Sequence, residues 1–208
     1  MKIRTDRVRN PFGMSPPCER FVPGYGDANA DVHVIGDHPG RHGGIRTGVP
    51  FTESVAGERM QACLEGVGLL TEPGDAPTLD NLFFSYLHPC VPDDSPTAES
   101  YAEMEPFFDA ELRAITAHVL VPVGERPVRH VLETFTTQSV DDLSVSEVHA
   151  TEISSGAWLV VPVREPAAWE SGDRDQLVTA LEAVLGRDYT RQSDLGRFLT
   201  DSGRYLVR

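Results

Sequence analysis

Residues 31–53 read DVHVIGDHPGRHGGIRTGVPFTE, and this stretch decides the predicted fold. Its first six residues, Asp31 to Gly36, form a short apolar run that is typical of a buried strand. The remainder, from Gly36 to Glu53, contains five glycines and leads directly into a helical pattern. Glycines allow the backbone to approach a ligand closely, and a helix start offers free N–H groups. The stretch therefore predicts a strand, a ligand-binding loop and a helix in succession.

Three further apolar runs also predict buried strands, since each ends near Gly, Pro or a polar cluster. They are Asn81 to Leu87, His118 to Gly124 and Ala157 to Val163. Strands that are apolar almost throughout and alternate with helices belong in a parallel sheet covered on both faces. We therefore expect an α/β fold, a three-layer α/β/α sandwich with a central, mostly parallel four-stranded sheet.

Helical faces lie between and after these strands. Apolar side chains recur at helical spacing in three sets, namely Met60, Cys63, Leu64 and Val67; Met104, Phe107, Phe108, Leu112 and Ile115; and Leu177, Leu181, Val184 and Leu185. Pro96-Thr97 is expected to cap the second helix, while Asp173 caps the third and Gly186 ends it. A further helix is expected from Glu125 to Thr134, before an irregular stretch at residues 136–155.

The length of 208 residues suits one domain, so residues 1–208 are expected to form a single unit. It would carry an irregular N-terminal segment (1–28) and a C-terminal extension (187–208). No apolar run approaches the roughly 18 residues of a membrane span, and the opening MKIRTDRVRN lacks the apolar run of a signal peptide. We expect no membrane partner, a cytoplasmic location and a monomer.

The charge balance is strongly acidic, with 32 Asp and Glu against 18 Lys and Arg, and Lys2 is the only lysine. A net charge of −14 suits molar salt, where repulsion is screened over about 3 Å, so a halophilic origin is expected. Acidity normally opposes nucleic-acid binding. Arginines gather near both ends of the chain, however, where they could contact a phosphate backbone or simply form solvated tails.

The three cysteines, Cys18, Cys63 and Cys90, are too few and too scattered for a disulfide framework. No pair has the close spacing of a zinc knuckle. Reduced thiols are expected.

The glycine-rich loop matches no nucleotide-cofactor motif, because it contains neither GK[ST] nor GxGxxG. In parallel sheets, ligands bind outside the carboxyl ends of the strands. Chemistry is therefore expected after Gly36, at the start of the Asn81 run and after Val163.

Four separated pieces of the chain resemble, in the right order, the uracil-DNA glycosylases of the iron–sulfur-associated families four and five. They are VPGYGDANADVHVIGDHPGRHGGIRTGVPFTES from Val22, the helix that follows, NLFFSYLHPCVP from Asn81, and HVLVPVGERPV from His118. HGGIRTG and PFT look most like family five, while Asp37, after the strand glycine, looks more like family four. The resemblance covers roughly residues 18–165.

The resemblance implies a pocket for a nucleobase that has been flipped out of DNA. Asp37 would orient a water or offset positive charge on the sugar, while Phe51 stacks on the base and Asn81 reads its edge. His38 would donate to the departing base, and Arg164 could stabilise it as a fixed cation. Contacts with the base are also expected from Gly36, Pro39 and Gly40. Contacts with the nucleic-acid backbone are expected from His42 and Arg46.

Each of these residues also has a purely structural interpretation. Phe51 could be a core plug, Asn81 could cap a turn before its strand, and Asp37 could bind nearby backbone N–H groups. His38 and His42 could be surface or supporting groups. His42 could alternatively donate to the O2 atom of the departing uracil.

The sequence departs from the family pattern in two places. The His-Pro pair expected after the last strand is replaced by Arg164-Glu165-Pro166, which puts catalysis in doubt. Only Cys18 and Cys90 fall where ligands of an iron–sulfur cluster would lie, with Met104 or Glu105 near the fourth position. Since a cluster normally needs four thiolates, we predict no cofactor and no metal, and Cys63 is assigned to the core.

Three hypotheses follow. The first is a glycosylase that hydrolyses the N-glycosidic bond of uracil, or another deaminated base, in DNA. The second is a superfamily member that has lost catalysis and binds nucleic acid or a damaged base. The third is a small-molecule enzyme on the same architecture, since a fold alone does not fix function.

Overall fold

The structure is a computed structural model that describes residues 8–115, 117–137, 143–155 and 158–187. Its strands are β1 (Tyr25–Gly26), β2 (Val32–Gly36), β3 (Leu70–Glu72), β4 (Thr78–Leu79), β5 (Leu82–Tyr86), β6 (Val119–Pro122), β7 (Ile153–Ser154) and β8 (Leu159–Val160). Its helices are α1 (Pro39–His42), α2 (Val55–Gly66), α3 (Ala98–Ala114), α4 (Glu125–Phe135), α5 (Asp173–Leu185) and a 3₁₀ turn at Pro166–Ala168.

Six of the described strands form the main sheet, in the order β1-β5-β2-β6-β8-β7. The inner four strands, β5, β2, β6 and β8, pair in parallel, as the sequence predicts. The two edge strands, β1 and β7, pair antiparallel, so the sheet is mixed. Strands β3 and β4 form a separate two-stranded ribbon. The predicted α/β sandwich is confirmed, with edge strands too short to be recognised from apolar patterning.

Helices cover both faces of the sheet because its strands are apolar on both sides. One face packs against α2 and α5 through a core that includes Val34, Phe84, Leu64 and Leu181. The other face packs against α3 and α4 through Ile35, Leu120, Phe108 and Val131. Cys63 lies in the first core and is fully buried, as the sequence predicts.

The helix ends follow the expected capping chemistry, with one exception. The hydroxyl of Thr97 accepts a hydrogen bond from the N–H of Ser100 at 3.2 Å, which caps α3. Helix α5 is preceded by Gly172 in the left-handed conformation, and Asp173 is its first residue rather than its cap. The carboxylate of Asp173 instead accepts the N–H of Glu170 at 2.7 Å.

The boundaries of the predicted domain stay a prediction. The N-terminal segment is described from residue 8, and it contains β1. Within the stretch predicted to be irregular, residues 138–142 lie outside the described residues, and β7 occupies Ile153–Ser154. Residues 188–208 of the predicted extension also lie outside them.

The expectation of reduced thiols is wrong for two of the three cysteines. Cys18 and Cys90 form a disulfide, with their Cα atoms 6.1 Å apart and a separation of 72 positions in sequence. The pairing depends on an isolated bridge between Phe21 and Cys90, which brings the N-terminal segment beside the loop after β5. Sequence separation alone cannot reveal such a contact.

No helix in the described ranges is long and apolar enough to cross a membrane.

Candidate functional site

The polar side chains of the site lie where the parallel strands end. Asp37 follows β2, His88 lies two residues after β5, and Glu165 follows the extended chain after β8. A pocket of about 680 Å³ opens between this edge of the sheet and helices α3 and α4. The pocket is lined by residues that include Asp37, His38, Arg41, Tyr101, Phe108, Arg126, Arg129 and His130. This is the position at which open α/β sheets bind ligands.

Asp37 is held firmly beside this pocket, with its side chain 6% exposed. The hydroxyl of Tyr101 donates a hydrogen bond to its Oδ1 atom. Two guanidinium groups flank the carboxylate, with Nη1 of Arg41 at 3.9 Å from Oδ2 and Nε of Arg126 at 4.0 Å from Oδ1. Its backbone carbonyl accepts the N–H of His88 at 3.0 Å. The position is therefore a buried carboxylate in a positively charged setting.

His38 lies next to Asp37 on the pocket wall. Burial lowers the pKa of His38, while Asp37 acts in the opposite direction and His42, His88 and Arg41 lower it further. Its Nδ1 atom is buried without a hydrogen-bond partner in the described part of the chain. A neutral imidazole of this kind can donate one hydrogen bond to a ligand.

The space above Gly36 is filled by protein side chains. A Cβ atom built at Gly36 would lie 2.6 Å from the ring of Tyr86 and 2.8 Å from Nδ1 of His42. His42 is fully buried, and its Nδ1 atom accepts the N–H of Asp37 at 2.9 Å. The prediction that His42 contacts a nucleic-acid backbone is therefore wrong. Gly36 was also predicted to contact the base, but the rings of Tyr86 and His42 occupy the space in which a base would have to lie.

Phe51 is a core residue rather than an open stacking platform. It is 0% exposed, and the ring of His42 stacks on it with centroids 5.4 Å apart at 18°. Its backbone adopts a φ of 58°, which is uncommon for residues other than glycine. The hydroxyl of Tyr86 accepts its N–H at 2.8 Å, and the Gln61 amide donates to its carbonyl at 2.8 Å. The structural interpretation of Phe51 thus prevails, because its ring faces are already covered.

Asn81 precedes a strand of the sheet, whereas Asp37 follows one, so the two residues lie at opposite ends of the parallel strands. The predicted base-reading role of Asn81 is therefore wrong. It precedes β5, whereas the pocket lies beyond the end of that strand. Its Oδ1 atom accepts the N–H of Asp31 at 2.8 Å, and its amide donates to the Asp31 carboxylate at 3.0 Å. Asn81 adopts a φ of 56°, a conformation that asparagine tolerates well. It therefore ties together the starts of β5 and β2.

Arg164 does not reach the pocket, which corrects its predicted role as the cation of the site. Its Nη1 atom lies 3.2 Å from the Asp173 carboxylate, at the start of α5. Successive side chains of an extended chain point to opposite faces, so Arg164 and Glu165 diverge. Glu165 is the residue that turns toward the site, where it accepts hydrogen bonds from Arg41 and from Nε2 of His42, the latter at 3.3 Å.

Glu165 is a strongly acidic group. Burial alone would raise its pKa, but the hydrogen bonds and charges of His42 and Arg41 outweigh burial and lower the pKa to about 2. The position that the family pattern gives to histidine therefore holds a fixed anion, neutralised by Arg41.

The remaining predicted residues lie on the loop that begins with α1. Pro39 is buried as the first residue of that helix, and Gly40 is exposed. Arg46 is 81% exposed and forms an ion pair with Glu53 at 2.6 Å. Its predicted contact with a nucleic-acid backbone remains open, because the guanidinium faces solvent.

Sequence reasoning missed Tyr101, Arg126 and Tyr86. Tyr101 lies three residues before Met104 and seven before Phe108, so helical spacing could have assigned it to the buried face of α3. Tyr86 ends a buried strand in register with Gly36, which strand pairing alone reveals. Arg126 has no local signal, since its partners are Tyr101 on α3 and Asp37 directly after β2.

The residues near Cys90 do not suit an iron–sulfur cluster. Cys18 and Cys90 are bonded to each other, and the Sδ atom of Met104 lies 3.5 Å from Sγ of Cys90. Burial raises the pKa of the Cys63 thiol to about 12, and this residue belongs to the core on the α2 and α5 side. Among the described residues, no group of three or more His, Cys, Asp or Glu side chains is arranged to hold a metal ion.

Comparison with known proteins agrees with this architecture. The chain is 32% identical over 120 residues to a protein of Pyrobaculum aerophilum named type-5 uracil-DNA glycosylase, covering 55% of this chain and 53% of that one. Proteins of the same name from Thermus thermophilus and Mycobacterium bovis are 32% and 30% identical, over 60% and 53% of this chain and 59% and 44% of theirs. The chain thus spans about half the length of these relatives. The sequence model of the uracil DNA glycosylase superfamily matches residues 23–185, most of the chain, and the protein belongs to that superfamily.

Proposed function

We propose that the protein removes uracil, or another deaminated base, from DNA by hydrolysing the N-glycosidic bond. The observation that carries this proposal is Asp37, a carboxylate buried at the carboxyl edge of the sheet and fixed beside a pocket by Tyr101. Membership of the superfamily supports the same reaction class. A nucleobase stacked in a duplex is out of reach, so the nucleotide would be extruded into the pocket.

The reaction makes two demands on the site. When the C1′–N bond breaks, its electron pair leaves with the base and positive charge develops on the sugar. The water oxygen then bonds to C1′ and one water proton passes to Asp37, from which it returns to solvent, while the base takes up a proton. A preorganised carboxylate in a site of low water content is well suited to offset the positive charge.

The base would lie in the open pocket rather than against Phe51. The space above Gly36 is occupied by Tyr86 and His42, whereas the pocket beside Asp37 has a volume of about 680 Å³. Ligand pockets typically measure about 300–1,000 Å³, so a nucleoside fits this volume. His38 would donate to a base oxygen, and the exposed Arg46 would contact the phosphate backbone.

Single-turnover incubation with a uracil-containing oligonucleotide in molar KCl tests the proposal. We expect alkali-labile sites with the wild type and a loss of about 100-fold or more in Asp37→Asn. Asp175→Asn is the matched control, since that carboxylate is 84% exposed on α5, on the other side of the sheet. Absence of product from folded wild-type protein, on both single-stranded and duplex substrates, would count against a glycosylase.

A specific observation favours a second candidate, a binding module without catalysis. Glu165, a fixed anion, stands in place of the histidine of the family pattern, and the space that it faces is filled by His42. This arrangement offers no neutral donor to a departing base anion at that position. Retention of uracil-containing DNA without release of base would support the binding module.

The cellular and physical setting belongs to the same proposal. We propose a cytoplasmic monomer that works in high salt, without a cofactor and without a membrane partner. The acidic composition supports the high-salt setting. The bond between Cys18 and Cys90 supports the absence of a cluster, because neither thiol is free to bind iron.

A further inference from the structure

His38 offers the departing base a neutral donor, but the site described above has no cation assigned to the negative charge of that base. Arg164 is paired with Asp173, and Glu165 carries a negative charge itself. Arg41 donates to Glu165, which occupies its Nε atom. Arg129, on the pocket wall, pairs with Glu125 at 2.6 Å and donates to the carbonyl of Leu143 at 2.9 Å.

Arg126, also on the pocket wall, differs from these arginines because it forms no hydrogen bond of this kind with the described residues. It lies in the first turn of α4, and its side chain is 48% exposed. The guanidinium carbon lies 4.0 Å from the centroid of the Tyr101 ring, and Nε lies 4.0 Å from Oδ1 of Asp37. It has no hydrogen-bond acceptor within the described part of the chain. Its terminal N–H groups are therefore free to bind a ligand.

Tyr101 fixes this guanidinium relative to Asp37. Its ring supports the cation from one side, an arrangement that is more favourable when partly desolvated. Its hydroxyl donates to the same carboxylate that Arg126 approaches. Burial, followed by the hydrogen bond and charge of Asp37, raises the pKa of Tyr101, so the hydroxyl keeps its proton at neutral pH. One side chain thus positions both the anion and the cation of the site.

We propose that Arg126 is a catalytic residue that binds the departing base and stabilises the electron pair that it takes from the C1′–N bond. The inference rests on the proposed glycosylase function, since it names the group that serves the leaving base. Arg126 transfers no proton. The base anion is protonated after release, while Asp37 accepts the proton of the attacking water.

The test varies the stability of the leaving base. Fluorine at C5 withdraws electrons, so the anion of 5-fluorouracil is more stable than that of uracil and needs less help from the protein. In Arg126→Gln, we expect the single-turnover rate to fall about 100-fold for uracil and clearly less for 5-fluorouracil. Arg126→Lys should recover part of the rate, because it keeps the charge without the planar fork.

Binding is measured separately, with an oligonucleotide that carries a tetrahydrofuran in place of the damaged nucleoside. Since this probe has no base, its Kd should change less than about threefold in Arg126→Gln. Arg113→Gln is the control for loss of one positive charge, because that residue is 81% exposed at the end of α3. Tyr101→Phe keeps the ring under Arg126 and removes only the hydroxyl. Tyr101→Phe should slow the release of both bases equally, because the lost hydroxyl acts through Asp37.

The outcomes separate this inference from the proposed function. Equal losses with uracil and 5-fluorouracil in a folded, active Arg126→Gln protein would overturn the inference and leave the glycosylase standing. A rate unchanged from wild type would do the same. Wild-type protein inactive on both bases would overturn the proposed function, and the inference with it.

Discussion

His42 and Glu165 meet at the carboxyl edge of the sheet, with Nε2 of the histidine 3.3 Å from Oε2 of the glutamate. Because Nδ1 of His42 accepts the N–H of Asp37, its ring proton lies on Nε2 and is donated to Glu165. Two residues that sequence reasoning assigned to separate roles thus form one structural unit. This unit fixes the backbone at the residue proposed to carry the chemistry.

Glu165→Gln should lower the free energy of unfolding at neutral pH, and the difference from wild type should shrink in acid. The pKa of Glu165 is depressed to about 2, so its stabilising contribution is present above its ordinary pKa of 4.5 and disappears as pH falls toward 2. Partial solvent access reduces the expected difference to about 1–2 kcal/mol at pH 7. Urea unfolding at pH 7 and pH 3 measures it, with the exposed Glu147→Gln as control. If Glu165→Gln differed from wild type by the same free energy of unfolding at both pH values, the depressed pKa of Glu165 would be contradicted.

Tyr86→Phe should loosen the packed space above Gly36. The hydroxyl of Tyr86 accepts the N–H of Phe51 at 2.8 Å and donates to the carbonyl of Gly43 at 3.0 Å. Its removal leaves two buried backbone groups without partners, which costs about 1–3 kcal/mol. Hydrogen exchange at the Phe51 amide should accelerate, and the Tm should fall. Unchanged protection at that amide would show that Tyr86 does not hold the loop.

Glu111→Gln should stabilise the protein above neutral pH. Burial raises the pKa of Glu111 to about 8, and a Cβ atom at Gly24 would collide with its carboxyl group, which shows how closely it is packed. The folded state therefore keeps a proton that the unfolded state releases above pH 4.5, and stability falls as pH rises from 4.5 to about 8. The variant should be more stable by a few kcal/mol at pH 9 and little changed at pH 4. A gain equal to that of the exposed Glu103→Gln would refute this explanation.

Reduction of the Cys18–Cys90 disulfide should destabilise the protein. The bond closes a loop across 72 positions, which corresponds to about 4 kcal/mol of lost chain entropy in the unfolded state. Unfolding with and without a thiol reductant measures this difference, and Cys18→Ser should match the reduced wild type. The reductant should have no further effect on Cys18→Ser. A wild-type Tm that is insensitive to reduction would mean that the pair contributes nothing in solution.

Much of the fold could be predicted from local pattern. Apolar runs such as Asp31 to Gly36 marked the inner strands, because a strand buried on both faces must be apolar throughout. Thr97 could be recognised as a cap because its chemistry acts over three residues. The edge strands could not be found in this way. Strand β7 spans only Ile153–Ser154, which is too short for an apolar pattern, although it pairs with β8, the next strand along the chain.

The candidate site was harder to predict, because its members come from different elements. Asp37 could be identified from its place directly after a strand. Asn81 was misplaced, since its family resemblance did not reveal that its side chain binds Asp31 at the far edge of the sheet. Arg126 and Tyr101 come together only through the packing of α3 against α4 and the end of β2.

The sequence by itself determined the four inner strands, the four long helices, their order and the carboxylate at the end of β2, because these depend on periodicity and neighbouring residues. Only the tertiary structure decided that Tyr86 and His42 fill the space above Gly36 and that Arg126 faces Asp37. The physical reason is that side-chain volume and charge pairing depend on residues brought together from distant parts of the chain.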